Sequence, residues 1–326
     1  MTAVTTGSEG ASLSSGRSTR GGERIFRWLT LGAGLFVFVL LAAIAVFLIA
    51  KAIPAIRDDK SNFLTTQTWD PDYTQRFGIA ALAFGTLLSS VLALVMAVPV
   101  AVGVAIYITN YAPRRLATVL GYATDMLAAV PSVIYGLWGF LFLLPHLIGL
   151  QVFLNRYFGW IPIFSGSHSE VAVFSKSVFG ASLILAIMVL PIVAAISREV
   201  LRQVDPAQKE AALALGATRW EVIRTAVLPP SRPGIIGAVM LGLGRALGET
   251  IAVALTLSAV NVTSFNLLGH GNTIAANIAI KYGESTPTGR SALIATGLVL
   301  FVITLVVNLV ARGIVYRSSR LSTKGA

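Results

Sequence analysis

The chain has 326 residues, of which 55% are hydrophobic and only 12% charged, with a formal net charge of +11 and no cysteine. An ordinary soluble domain has about a quarter of its residues charged, so this composition excludes one and implies a polytopic membrane protein. The absent cysteines exclude disulfides, thiolate metal sites and cysteine nucleophiles, and membrane topology accounts for the basic residues better than nucleic-acid binding does.

Residues 1–24 are rich in Ser, Thr and Gly, carry Arg17, Arg20 and Arg24, and show no apolar period, which predicts a disordered tail. Trp28 to Ala50 contains no charge and is long enough to cross a hydrocarbon core of about 30 Å as a helix rising about 1.5 Å per residue. A polar loop follows from Lys51 to Arg76, with Trp69 as an interfacial residue. The uncharged run Phe77 to Pro113 exceeds the need of one span, which predicts tilt or a break near Pro99. After the basic turn at 110–115, a third span is expected from Leu116 to Leu144, interrupted by Asp125 and by the segment AAVPSVIYG (128–136). A mixed loop to Lys176 holds GWIPIF (159–164), read as an interfacial element. The fourth span is placed at Ser177 to Ser197, the fifth at Ile235 to Ser258 and the sixth at Ser291 to Ala311. His146, His168 and His270 fall between apolar runs without metal-ligand spacing and read as loop residues.

Six spans put both termini on one side. Sixteen Lys and Arg residues lie in the segments on that side and eight in the three opposite loops, so the positive-inside rule makes both ends cytoplasmic. The polar segment after the fourth span is then cytoplasmic too. Within it, Asp205-Pro206-Ala207-Gln208 reads as a helix start, with Asp at the N-cap and Pro at the first helical position. The helix should stop at Gly216, where a left-handed residue costs little. Thr218 to Glu221 is a capping box opening a second helix that should end by Pro229-Pro230. Periodicity alone leaves open whether this hairpin lies on the membrane or docks on a partner.

Glu210-Ala211-Ala212, then Gly216, then Leu228-Pro229 resembles the EAA signature of the membrane subunits of ABC importers, with Ala226 standing where the signature usually has a larger apolar residue. In that family this helix-turn-helix docks on the ATP-binding subunit. The resemblance implies that Glu210 anchors the contact, Gly216 shapes it, and Ala211 and Ala212 permit close approach. No G-x-x-x-x-G-K-[ST] phosphate loop occurs in the sequence, so ATP and Mg would be bound by a separate subunit and no cofactor by this chain.

Arg245 and Glu249 stand four residues apart in GLGRALGET, which in a continuous helix puts them on one face and lets them pair. A charge at the bilayer centre costs about 2.5–3.5 kcal/mol, so such residues face a bundle interior or a water-filled path. Glycines at 237, 242, 244 and 248 surround them, and the 244/248 spacing allows close helix packing. Asp125 is the other charge read as intramembrane. The three residues make either a static ion network or an anion path in which the guanidinium fork of Arg245 meets two oxygens of a tetrahedral oxyanion.

GLGRALGETIAV (242–253) together with DMLAAVPSVIYGLWG (125–139) resembles the C-type membrane subunit of the phosphate-specific transport (Pst) importers, with Asp125 where that family usually has Glu. The resemblance runs from the first span to the sixth. It implies an all-α, six-span type I (MetI-like) ABC permease of a bacterial cytoplasmic (inner) membrane, with a first span and external loop at 25–76. The permease domain would occupy 77–317, including a coupling segment at 202–230, with a tail at 318–326. Arg245, Glu249 and, by extension, Asp125 would line the phosphate path. The implied partners are a second, PstA-like permease, two copies of a PstB-like ATP-binding subunit and an external PstS-like phosphate-binding protein. A permease for sulfate or molybdate would share the EAA segment, and a proton-coupled secondary transporter using Asp125 and Glu249 would need no ATPase. An enzyme is disfavoured, because the buried charges offer no nucleophile-base pair or metal set.

Overall fold

Long uncharged runs in an apolar medium can satisfy their backbone hydrogen bonds only within helices. The computed structural model describes residues 20–165 and 176–323 and, among these, is all-α apart from one short antiparallel pairing and a single parallel bridge between Ala259 and Gly271. Among the described residues six helices are long and apolar enough to cross a membrane: Glu23–Asp58, Ala80–Tyr111, Ser132–Phe158, Val178–Arg202, Arg219–Leu247 and Pro287–Gly313.

In chain order, α1 (Arg20–Asp58) leads to β1 (Trp69–Asp70), paired with β2 (Arg76–Phe77), and then to α2 (Ala80–Ile106). α2 runs through Pro99 without the expected break and closes in a π turn at Tyr107–Tyr111. Pro113 starts α3 (Arg114–Ala129), which ends where Val130 and Pro131 turn to extended backbone. The third span is therefore not 116–144. It begins after Pro131, with α4 (Ser132–Trp138), a π turn at Gly139–Leu143 and α5 (Leu144–Phe158), so the expected loop at 145–176 is helical over its first part. The cause is local, since Pro131 cannot donate to the preceding turn and disfavours helix in the residue before it. The GWIPIF stretch contains one 3-10 turn, Pro162–Phe164, and His168 lies outside the described residues.

α6 (Val178–Arg202) is followed by α7 (Pro206–Ala214), α8 (Arg219–Val222), a π turn at Ile223–Val227 and α9 (Leu228–Leu247). The second hairpin helix thus does not stop at Pro229-Pro230. Those prolines occupy the first turn after the π turn, where their missing N–H groups cost least. α10 (Ile251–Thr256), α11 (Ile274–Lys281) and α12 (Pro287–Thr323) complete the chain. Helix already runs at Arg20, inside the expected tail 1–24, and continues to Thr323, through most of the expected tail 318–326. Once a long span is nucleated, each further residue adds a hydrogen bond at small cost.

Contacts divide the chain into two units, 1–47 and 48–326. The described part of the first is helix with apolar side chains such as Trp28, Phe36 and Phe47 exposed all round, as a lipid-facing span requires. The second unit is built on α6, whose Leu185, Met188, Val189 and Val193 are buried. α2 meets it with Ala93, Ala97 and Ala101, a stripe of small side chains at helical spacing that lets the two backbones approach. α9 approaches through glycine: a Cβ on Gly242 would stand 2.7 Å from Val189 Cγ1 and 2.9 Å from Val193 Cγ2.

Candidate functional site

Arg245 sits two residues before the end of α9 and lines a cavity of about 680 Å³. The wall is almost wholly apolar or small: Ala128 from the end of α3, Ile192 from α6, Gly237, Met240, Leu241 and Gly244 from α9, with Asn308 from α12. Gly237 and Gly244 have open space where a Cβ would stand. The glycines of α9 are therefore divided in use, Gly242 facing α6 while Gly237 and Gly244 keep the cavity wide. Among the described residues the 244/248 pair makes no close helix contact of the kind its spacing suggested, since a Cβ on Gly248 would meet only the carbonyl of Gly244, at 3.6 Å.

Arg245 and Glu249 do not pair. The helix ends at Leu247, and the chain turns at Gly248, so four residues no longer make one helical face. The Glu249 side chain instead points to the start of α10, where Oε1 accepts from the Ala252 N–H at 3.3 Å in a buried setting. A carboxylate at a helix start is favoured by the local dipole. Arg245 makes no hydrogen bond or ion pair with any described residue. Arg245 is thus a half-buried guanidinium, unpaired among the described residues, in an apolar-walled cavity, where its attraction for an anion grows as the surrounding dielectric falls.

Asp125 is not in a spanning helix and does not join Arg245. It lies on α3 and is held by Arg198, whose Nη2 donates to Oδ1 and Oδ2 at 3.0 Å each. Nη1 of the same guanidinium donates to Thr124 Oγ1 at 3.1 Å and lies against Gly121, where a Cβ would come within 2.7 Å. Arg198 was missed because it sits at the polar end of a span, where an arginine signals topology first. Asp125 was read as intramembrane because the residues on either side of it, 116–124 and 126–131, are uncharged and run on into the spanning helix.

The polar segment between the fourth and fifth spans forms two capped helices around Gly216, as its sequence indicates. Asp205 caps α7 by accepting from Ala207 N–H at 2.9 Å, and Thr218 and Glu221 form both halves of the capping box. Gly216 has φ +81°, and the N–H groups of Gly216 and Ala217 donate to the Leu213 and Ala212 carbonyls, a paired C-terminal closure that needs a left-handed residue. Glu210 and Ala211 are exposed, whereas Ala212 and Leu228 turn inward onto the cluster of Leu201, Val204, Val222 and Val227, and Pro229 is half-buried. Ala212 therefore builds the hairpin rather than its outer surface. That surface carries Leu213, Trp220 and, at 89% exposure, Leu215. These three were not singled out from sequence, where apolar residues in an amphipathic helix read as core.

The family of "binding-protein-dependent transport system inner membrane component" proteins matches residues 97–320. The phosphate transport system permease protein PstC 2 of Mycobacterium tuberculosis is 47% identical over 304 residues, covering 91% of this chain and 93% of that protein. The phosphate transport system permease protein PstC of Xylella fastidiosa is 38% identical over 299 residues, covering 91% and 92%. Among solved structures, one from a bacterial ABC transporter involved in the import of the acidic polysaccharide alginate superposes with a TM-score of 0.54 at 19% identity. It covers 91% of this chain and 99% of its own, a likeness of fold.

Proposed function

This chain belongs to the family of binding-protein-dependent transport system inner membrane components, and we propose that it is the permease subunit that passes inorganic phosphate across a bacterial cytoplasmic membrane. The observation that carries this reading is Arg245, an unpaired cation on the wall of a cavity of about 680 Å³ between otherwise apolar helices. Its planar fork suits two oxygens of a tetrahedral oxyanion. The names of the relatives at 38–47% identity support phosphate as that oxyanion.

With both termini cytoplasmic, the α7–α8 hairpin faces the cytosol. Its exposed Leu213, Leu215 and Trp220, beside Glu210, Ala211 and the Gly216 turn, form the surface for a separate ATP-binding subunit, present in two copies in a complex with a second permease of the same family. ATP and Mg belong to that subunit, so this chain carries out no chemistry of its own. An external phosphate-binding protein delivers the substrate to the opposite face. From Arg219 to Leu247 the hairpin and the fifth span form one helical run of 29 residues. At about 1.5 Å per residue, movement imposed near Trp220 is carried along one rod to Arg245. Closure of the ATPase pair then changes which side of the membrane the cavity faces.

The test is uptake of labelled phosphate by the assembled complex in vesicles. Arg245→Ala should abolish uptake while subunit recovery is unchanged; wild-type uptake by that variant would overturn the path. Competition by sulfate or molybdate at equal concentration should not reduce phosphate uptake, and efficient competition would reassign the substrate. Uptake that survives ATP depletion yet collapses with a proton uncoupler would replace the ABC reading with a secondary transporter.

A further inference from the structure

We propose that Asn308 is a second anion-contact residue of the translocation path, donating its carboxamide N–H groups to the oxyanion that Arg245 attracts. This rests on the reading of the cavity as an oxyanion path. Asn308 lies in a run of α12 that is uncharged from Ser291 to Ala311. The other polar side chains of that run satisfy themselves within their own helix: Ser291 Oγ donates to the Pro287 carbonyl at 3.1 Å, Thr296 Oγ1 to that of Leu293 at 2.7 Å and Thr304 Oγ1 to that of Phe301 at 2.8 Å. Asn308 alone among them makes no hydrogen bond with any described residue, and it is exposed.

An unsatisfied amide facing lipid costs several kcal/mol, so the position of Asn308 has to supply water or a polar partner. The wall it occupies does so, because the cavity it lines is the one that holds Arg245. The remainder of that wall offers no side-chain donor, being Ala128, Ile192, Gly237, Met240, Leu241 and Gly244. Arg245 and Asn308 are therefore the two side chains of the cavity able to hydrogen-bond an anion.

Arg245 stands on α9 and Asn308 on α12, so the two donors reach the same cavity from different helices. A neutral carboxamide has two donors and one acceptor. It can hold the oxygens of an anion leaving Arg245 and accept from a P–OH group without adding a charge that would trap the ion.

The experiment uses the full complex in vesicles with labelled inorganic phosphate, comparing Asn308→Leu, Asn308→Asp and Asn308→Gln with Arg245→Ala. Asn308→Leu should lower the uptake rate about tenfold, the worth of one hydrogen bond to a charged group. Asn308→Asp should lower it further, because an ionised carboxylate repels the substrate, and Asn308→Gln should restore part of it. Recovery of assembled subunits should be equal in all of them. Wild-type uptake by the Leu and Asp variants, with Arg245→Ala inactive, would overturn the role of Asn308 and leave the phosphate path standing. Loss of uptake through loss of the assembled complex in Asn308→Leu would overturn it in favour of a helix contact with the second permease. Wild-type uptake by Arg245→Ala would remove the path itself.

Discussion

The guanidinium of Arg198 holds both carboxylate oxygens of Asp125 at 3.0 Å, tying the C-terminal end of α6 to α3 three residues before Ala128 enters the cavity wall. The side chain of Arg198 is 10% exposed and that of Asp125 49%, so the arginine is the partner left stranded when the pair is broken. Its Nε is already buried without a partner. Removing one member of a buried pair costs about 3–5 kcal/mol; with one member half in solvent, about 2 kcal/mol is expected for Asp125→Ala. Asp125→Asn keeps one acceptor and should lose less. Thermal unfolding in detergent measures both, and an Asp125→Asn variant as stable as the wild type would show that the charge contributes nothing beyond one hydrogen bond.

Gly216 makes a second prediction. At φ +81° an L side chain is disfavoured by about 1–2 kcal/mol, while no atom lies within 4 Å of the place its Cβ would take. Replacement therefore acts through the backbone and not through a clash. Gly216→Val should leave the permease in the membrane but distort the turn between α7 and α8, so that ATP hydrolysis continues and phosphate uptake falls. Gly216→Asn, which tolerates the left-handed region, should retain most coupling. Hydrolysis and uptake falling in the same proportion would count against the hairpin as a coupling element.

Leu215, 89% exposed beside that turn, should be where the ATP-binding subunit gains apolar contact. Leu215→Asp should reduce copurification of that subunit severalfold without changing the amount of permease in the membrane. Unchanged copurification would move the docking surface elsewhere.

The hairpin was legible because its signals are local: Asp205, Pro206, Gly216, Thr218 and Glu221 each satisfy or free a backbone group within a few residues. Four of the six spans were legible from uncharged length, whereas the fifth, expected at 235–258 with Arg245 and Glu249 inside it, is the helix Arg219–Leu247. The third was misplaced because Pro131 divides the run 116–144, which is apolar apart from Asp125, and α3 ends before the long apolar helix begins at Ser132. That Arg245 and Glu249 share a helical face was inferred from their spacing, and that inference fails wherever a helix ends inside the interval, as at Gly248. Asn308 had a sequence signal, an amide in an uncharged run, but its significance depends on α9 lying opposite, which no local pattern encodes.

Lys281, the last residue of α11, gives a pH dependence outside the spans. Burial pushes its ammonium pKa down, and the Asp70 and Asp72 carboxylates only partly oppose this. The folded chain therefore binds fewer protons than the unfolded one between the lowered pKa and the ordinary lysine value of about 10.4. Stability rises with pH through that window, and the cost of burying the charge is fully present below it. Lys281→Met should raise the unfolding temperature relative to wild type at pH 7.5, with the difference shrinking toward pH 10. A difference that grows with pH would reverse the sign and make the two carboxylates the dominant influence.

Gly242 and Gly244, two residues apart, should respond oppositely to the same substitution. A methyl on Gly242 meets Val189 and Val193 of α6 at 2.7 and 2.9 Å, and on Gly244 it meets nothing within 4 Å. Overpacking of a tight helix contact costs about 1–3 kcal/mol, so Gly242→Ala should lower the unfolding temperature while Gly244→Ala leaves it unchanged or raises it through helix propensity. Size then separates the roles further. Gly244→Phe fills cavity space beside Arg245 and should block uptake in a complex of normal stability, whereas Gly242→Phe should fail to fold. Unimpaired uptake by a stable Gly244→Phe complex would mean that the substrate passes elsewhere, whatever Arg245 attracts.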